Sequence, residues 1–290
     1  MNIKNIIISR KNISANDIPP MIGKNLPDHI NLITLPLIDF RKIHSKEVKE
    51  ALARILSSYY DYCIFLSSNS IDIFFEVIKD EKESKEILYK ISKMKIIVIG
   101  PKTKYALRKY GFDSYVADSH NNNYSMIGIN NFLRKLESKM KMQKQSNTLR
   151  ILIPRSAQSL ISGNLIKSTF ENIELDQVFF YDVTESKDAF TSSEWKKMTK
   201  VSTYLGKTFL IFTSPSAVRS FFKIMYQLSP QLYYDKSEIE IIRDLKIYKV
   251  ISIGPVTSRA LIDKKIDHIE SSTHTIKGTL EVAFNFCSES

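Results

Sequence analysis

The chain has 290 residues, of which 43% are hydrophobic, so it is long enough for two domains and too apolar for general disorder. Its formal net charge of +11 favours an anionic partner: nucleic acid, a membrane surface or a small polyacid. Because the basic residues are spread out rather than gathered in one run, a composition bias without functional meaning is an equally good explanation.

Cysteine and histidine usage predicts a reduced protein without a metal. Cys63 and Cys287 form no CxxC pair, which favours an intracellular, cytoplasmic location, and the histidines lack metal-ligand spacing. No apolar run approaches the roughly 18 residues of a membrane span, and the N-terminal apolar run is too short for a signal peptide. No recognised nucleic-acid-binding motif is present.

The chain opens with two predicted strands and a helix. IKNIII at 3–8 predicts a strand that ends at Ser9 and Arg10, and INLITLPLI at 30–38 predicts a second one. Ser45 then caps a helix whose apolar residues recur at helical spacing.

Strand–turn–helix units follow. DYCIFLSSNSIDIFFEVI at 61–78 and MKIIVIGPKTKYALRKYGF at 94–112 each predict a strand, a turn and a helix. A further helix begins after Ser125. LRILIP at 149–154 and DQVFFYDVT at 176–184 predict two more strands.

The last third repeats this plan. A capping box from Thr191 to Glu194 predicts the helix that contains Trp195. TFLIF at 208–212 predicts a buried strand before TSPSAVRSFF, and KVISI precedes the Gly-Pro-x-Thr turn at Gly254.

Three motifs recur in the same order about 150 residues apart, which indicates a duplicated domain rather than a short repeat. Ser68 pairs with Ser214, Gly100 with Gly254, and Ser125 with Thr275. The C-terminal copy lacks one strand, which the spare N-terminal strand supplies.

The predicted domains are therefore residues 1–37 with 183–290, and residues 38–182. Two crossing strands would form a hinge, and the cleft between the domains would face both Gly-Pro-x-Thr turns.

These motifs together resemble the uroporphyrinogen-III synthase family over nearly the whole chain. The resemblance rests on IIISR, LPLI, SSNSIDIFF, TSPSAVRSFF, the two GPxT segments, VFFYDVT and THTIKG. One departure is Lys265, which stands where the earlier copy has Gly111, so that helix must end without a glycine.

The resemblance implies an α/β fold of two flavodoxin-like domains with parallel sheets, joined by a two-stranded β-ladder. It implies a lyase of tetrapyrrole (porphyrin) biosynthesis that closes hydroxymethylbilane into uroporphyrinogen III, losing water and inverting the last pyrrole. No cofactor is expected. Tyr181 matches the tyrosine implicated in this family. The expected protein is a monomer that receives its substrate from hydroxymethylbilane synthase.

Eight carboxylates on the substrate suit a site of hydroxyls, helix N-termini and dispersed basic residues. The expected substrate-binding residues share a position at a strand end or helix start: Arg10, Ser67, Ser68, Thr103, Arg155, Ser214, Ser216, Gly254, Pro255, Thr257 and Thr275. Each hydroxyl is equally explained as a helix cap, and Tyr181 as packing. A non-catalytic tetrapyrrole- or polyanion-binding protein is the alternative function.

Overall fold

The computed structural model describes residues 4–14, 17–20, 29–118, 124–143, 147–161, 165–166, 169–187, 193, 208–232, 241 and 245–288. The capping box predicted from Thr191 to Glu194 and the helix around Trp195 lie outside these residues.

The strands follow in chain order: β1 (Lys4–Ile8), β2 (Ile30–Thr34), β3 (Ile38–Lys42), β4 (Tyr62–Phe65), β5 (Lys95–Val98), β6 (Tyr115–Val116), β7 (Leu149–Ser156), β8 (Ile173–Glu185), β9 (Thr208–Phe212), β10 (Tyr248–Ser252) and β11 (Ile269–Glu270). The helices with described bounds are α1 (Lys46–Leu56), α2 (Ser68–Lys79), α3 (Ser84–Lys93), α4 (Pro101–Arg108), α5 (Met126–Met142), α6 (Gln158–Ile161), α7 (Pro215–Leu232), α8 (Pro255–Asp263) and α9 (Ile276–Ser288). The strand predicted over 30–38 is thus two strands, β2 and β3.

The chain divides into two compact units. Unit 1 comprises Met1–Asp39 and Thr184–Ser290, and unit 2 comprises Phe40–Val183. The boundaries between the units fall within β3 and β8, which are hydrogen-bonded neighbours in one sheet. A hinge function for these two strands stays a prediction.

Unit 1 contains a sheet in the order β11-β10-β9-β1-β2, in which neighbouring strands are parallel. Numbered along the chain, this is the flavodoxin order 2-1-3-4-5. The other sheet has the order β3-β8-β7-β4-β5-β6. If β7 is counted first and β8 second, its last five strands have the same order. The predicted α/β class with flavodoxin-like parallel sheets is confirmed.

Alternation along the strands gives each sheet an apolar layer on both faces, as expected for parallel sheets covered by helices. In β9, Phe209 and Ile211 belong to the core cluster that includes residues of α9. Leu210 and Phe212, between and beyond them, belong to the cluster that includes residues of α7 and α8. The continuous apolar sequence TFLIF is therefore buried from both sides.

Local capping explains where several helices begin and end. Ser45 and Ser125 accept hydrogen bonds from the N–H groups of Val48 and Ile127, so both predicted N-caps are confirmed. At the end of α8, Lys265 takes the left-handed conformation with φ 56°, where Gly111 has φ 83° after α4. The helix thus ends without glycine, as expected from the sequence.

Candidate active site

Each sheet has a switch point, where the strand order reverses and where open α/β folds bind ligands beyond the carboxyl ends of the strands. It lies between β1 and β9 in unit 1, and between β7 and β4 in the second sheet. Four predicted site residues, Arg10, Ser67, Arg155 and Ser214, lie within two residues of these strand ends. These four residues therefore lie at the two switch points where ligands are expected to bind.

Tyr181 lies on β8 at an irregularity in the pairing with β7. Arg155 pairs with Phe179 and Ser156 pairs with Tyr181, so Phe180 is an extra residue at a β-bulge. Phe180 and Tyr181 are consequently both buried in the core of unit 2, although side chains normally alternate along a strand. The bulge therefore sets the direction of Tyr181.

The Tyr181 side chain combines an apolar environment with two polar neighbours. It is 6% exposed, and its ring packs edge-on against Phe40 with centroids 5.9 Å apart. Burial raises the pKa of the phenol above its ordinary value of 10.0, while a hydrogen bond with the Ser67 side chain and the charge of Arg155 act to lower it. Since burial is the largest of these effects, the phenol keeps its proton at neutral pH.

Arg155 is a buried cation, 6% exposed, and two of its hydrogen bonds go to neutral side chains. Its Nη1 donates to Gln177 Oε1 at 2.7 Å, and its Nε donates to Ser159 Oγ at 3.2 Å. The Gln177 amide also accepts from the N–H of Ile166 and donates to its carbonyl, which fixes its orientation. Burial lowers the pKa of Arg155 below its ordinary value, whereas the charge of Tyr181 acts in the opposite direction.

Ser67 connects this cluster to helix α2. Its Oγ accepts from the N–H of Ser70 at 3.0 Å, which makes Ser67 the N-cap, and Ser68 is the first helical residue. In unit 1 Ser214 Oγ accepts from the N–H of Ala217, three residues on, in the same way. The structural equivalent of Ser214 is therefore Ser67. The pairing of the two repeats by sequence had matched Ser214 with Ser68.

At the switch point of unit 1, hydrogen bonds connect the residues that follow β1 and β9. Thr213 donates its N–H to Ser9 Oγ at 2.9 Å and its hydroxyl to the Ser9 carbonyl at 3.0 Å. Arg10 follows directly and is half-buried. Ser216, in the first turn of α7, accepts from Arg219 at 3.2 Å.

Both Gly-Pro-x-Thr turns start helices with their glycine as N-cap and their proline in the first turn. The predicted hydroxyls, however, are buried: Thr103 is 4% and Thr257 is 2% exposed. Gly254 is buried as well, and the exposed residues of the second turn are Pro255 and Val256. Helix N-termini of this kind offer N–H groups to anions.

The two turns meet equivalent neighbours. A Cβ on Gly100 would lie 3.0 Å from Tyr124 Cβ, and one on Gly254 would lie 3.0 Å from His274 Cδ2. Tyr124 and His274 each precede the residue that caps the next helix. Thr275, the cap in unit 1, is exposed and accepts from the N–H of Gly278 at 3.0 Å.

The structure brings Tyr181, Arg155 and Ser67 together in unit 2, and the sequence analysis did not identify Gln177 or Ser159 as partners of Arg155. The sequence feature that could have identified Gln177 is its polar side chain within the otherwise apolar strand β8. Within the described part of the chain, no group of three His, Cys, Asp or Glu residues could hold a metal ion. No described helix is long and apolar enough to cross a membrane.

Comparisons with known proteins agree on one family. The family model of "Uroporphyrinogen-III synthase HemD" matches residues 29–281. A relative from Methanocaldococcus jannaschii, named "Putative uroporphyrinogen-III synthase", is 25% identical over 224 residues, which cover 77% of this chain and 78% of the relative.

Two solved structures share the fold. Uroporphyrinogen-III synthetase from Helicobacter pylori has a TM-score of 0.55 at 16% identity, covering 98% of this chain and 100% of its own. A mutant uroporphyrinogen III synthase from Thermus thermophilus has a TM-score of 0.51 at 11% identity, covering 99% of both chains.

Proposed function

The chain belongs to the uroporphyrinogen-III synthase family, and we propose that it cyclises hydroxymethylbilane to uroporphyrinogen III with loss of water and inversion of the terminal pyrrole ring. We place the reaction at the switch point of the second sheet, and the main support is the cluster of Tyr181, Arg155 and Ser67 found there. In this proposal residues 38–182 form the catalytic domain, and residues 1–37 with 183–290 form a second substrate-binding domain.

Tyr181 acts as the general acid. The pyrrole nitrogen pushes out the terminal hydroxyl of the bilane, and the Tyr181 phenol donates its proton to that hydroxyl, so that water leaves. The substituted carbon of the last ring attacks the resulting cation to form a spiro intermediate. The bond from that substituted carbon to its original methylene bridge then breaks, and the bridge carbon bonds to the free α-carbon of the same ring. That α-carbon gives its proton to the phenolate. General acid catalysis of this kind contributes about 10²–10⁴-fold.

The phenol is protonated when the substrate arrives, as a tyrosine is at neutral pH, and its raised pKa by itself makes it a weaker acid. The Ser67 hydrogen bond and the Arg155 charge act against the effect of burial and stabilise the phenolate once the proton has left. Arg155 is thus proposed to hold the acid in position and to stabilise its conjugate base. Its fixed geometry on Gln177 is consistent with that task.

The remaining proposed residues bind the substrate's carboxylates and hold the bilane in the shape that closes to the type III ring. Arg10 supplies a cation, and helix starts at Ser67–Ser68, Ser214–Ser216 and Thr275 supply N–H groups and hydroxyls. At the second Gly-Pro-x-Thr turn we assign binding to the free N–H groups at the start of α8, with Gly254 and Pro255 shaping the turn, since proline has no N–H of its own. The buried Thr103 and Thr257 then maintain the shape of the turns.

Hydroxymethylbilane also closes without a catalyst, to the type I ring. A monomer that receives the bilane from hydroxymethylbilane synthase by transient contact would limit this loss. A reagent that traps free bilane but does not affect either enzyme can be added to the coupled reaction. It should then leave the yield of the type III ring nearly unchanged.

The decisive experiment is an isomer analysis. Hydroxymethylbilane is generated in a coupled assay, this protein is added, and the oxidised products are separated. The proposal predicts predominantly type III uroporphyrin. Type I alone contradicts the enzyme assignment, and type I together with measurable bilane binding would identify a non-catalytic binding protein.

A further inference from the structure

A basic cavity lies at the amino edge of the second sheet, opposite the candidate active site. It has a volume of about 510 Å³ and is lined by residues at the amino ends of β4, β5 and β7, and by the carboxyl-terminal turns of α3 and α5. Leu149 of β7 lines the cavity, whereas Arg155 lies six residues further along the same strand. At about 3.3 Å per residue, roughly 20 Å separates the two places.

Four lysines surround the opening: Lys90, Lys93, Lys95 and Lys139. None of them forms an ion pair with a carboxylate among the residues that the structure describes. Lys90 donates to Ser58 Oγ at 3.1 Å, and Lys93 and Lys95 lie over tyrosine rings at 5.0 and 5.5 Å. The contacts given for Lys90, Lys93 and Lys95 are thus with neutral groups.

The local negative charge is too small to neutralise these lysines. Asp61 is the one carboxylate among the lining residues, and one of its oxygens accepts from the N–H of Arg150 at 2.9 Å. The negative ends of α3 and α5 each contribute about half a charge. A net charge of about +2 is left around a single concave site, which favours a multiply charged anion over a chloride ion.

Apolar side chains form part of the cavity lining, here called its floor. Met140 is 2% exposed and Tyr62 is 8% exposed, and the side chains of Met94, Leu136 and Leu149 complete the lining. A floor of this kind accommodates an aromatic or aliphatic body, while the lysines at the rim meet charged groups attached to it. The same combination is unsuited to a bare inorganic ion.

We propose that this cavity binds a small organic polyanion, with its apolar body against the floor and its phosphate or carboxylate groups among the four lysines. The site is separate from the proposed catalytic residues and does not depend on the proposed function.

Calorimetry on the full chain tests the proposal, with adenosine triphosphate and benzenehexacarboxylate as probes and adenosine as the neutral control. Binding of either polyanion, weakening as salt is raised, supports the site, and the stronger probe identifies phosphate or carboxylate as the preferred group. Binding of neither, or equal binding of adenosine, overturns it.

Variants assign the binding to this cavity. Lys93→Ala and Lys139→Ala should each weaken the affinity by about three- to tenfold. Lys109→Ala is the matched control, because Lys109 also ends a helix and lies over a tyrosine ring, at 5.4 Å, but does not line the cavity. If Lys109→Ala and Lys93→Ala weaken the affinity equally, the effect comes from the net charge of the protein alone, and the proposal is refuted. Unchanged affinity in both cavity variants would refute it as well.

Discussion

The carboxyl edges of the two sheets share a scaffold but differ in the side chains at the switch point. In both, a serine caps the helix after the switch-point strand, Ser67 in one and Ser214 in the other. At the switch point itself, unit 2 has the buried Tyr181 and Arg155, whereas unit 1 has Ser9 hydrogen-bonded to Thr213. Caps and glycines that the fold requires occur twice. Among the described residues, a buried phenol beside a buried cation occurs in one of the two copies, which favours a role for it beyond folding.

The largest expected difference between the two edges concerns Tyr181. Tyr181→Phe keeps the ring and its packing against Phe40 but removes the proton donor, so kcat should fall about 100-fold with little change in KM. Steady-state kinetics in the coupled assay measure both constants.

Tyr60→Phe is the matched control at the opposite edge of the same sheet. Tyr60 is also buried, and its hydroxyl donates to the Asp176 carboxylate rather than to a group near the switch point. This variant should lose stability, by about 1–3 kcal/mol for a hydrogen bond to a charged group, and keep its kcat. Wild-type kcat in Tyr181→Phe would remove Tyr181 from the mechanism.

The two arginines at the strand ends give the next largest contrast. Arg155→Lys replaces the rigid pair of donors, Nε and Nη1, with one ammonium group, which disturbs the geometry on Ser159 and Gln177, so kcat should fall about tenfold. Arg10→Lys keeps the charge at a half-buried position, and we expect a change of about twofold, mainly in KM. Equal effects on kcat from both variants would mean that the two edges contribute alike to the chemistry.

The smallest effect concerns the helix ends at Lys265 and Gly111, which both have positive φ. Lys265→Gly removes the cost of a left-handed non-glycine residue and should stabilise unit 1 by about 1 kcal/mol. Gly111→Lys should destabilise unit 2 by a similar amount, and through φ alone, because nothing lies within 4 Å of the added Cβ. Urea unfolding midpoints that move in the same direction for both variants would contradict this account.

The repeated scaffold could be predicted from the sequence because its signals are local. A strand that runs into a hydroxyl cap, or into Gly-Pro, is recognisable within ten residues, and so is the missing glycine at Lys265. The direction of Tyr181 could not be predicted, because it depends on a bulge whose register is set by pairing with β7. For the same reason, the sequence gives no indication that Gln177 reaches Arg155. Helix α3, which carries Lys90 and Lys93, was not identified at all.

The pH dependence of kcat tests the central claim most directly, because the proposed mechanism requires Tyr181 in its protonated form. Its folded pKa is raised, so activity should hold through neutral pH and fall as the pH rises through that pKa, above the ordinary value of 10.0. Replacing Tyr181 with 3,5-difluorotyrosine, whose phenol is more acidic, should move this alkaline fall to lower pH. An alkaline limb that stays at the same pH would show that another group donates the proton.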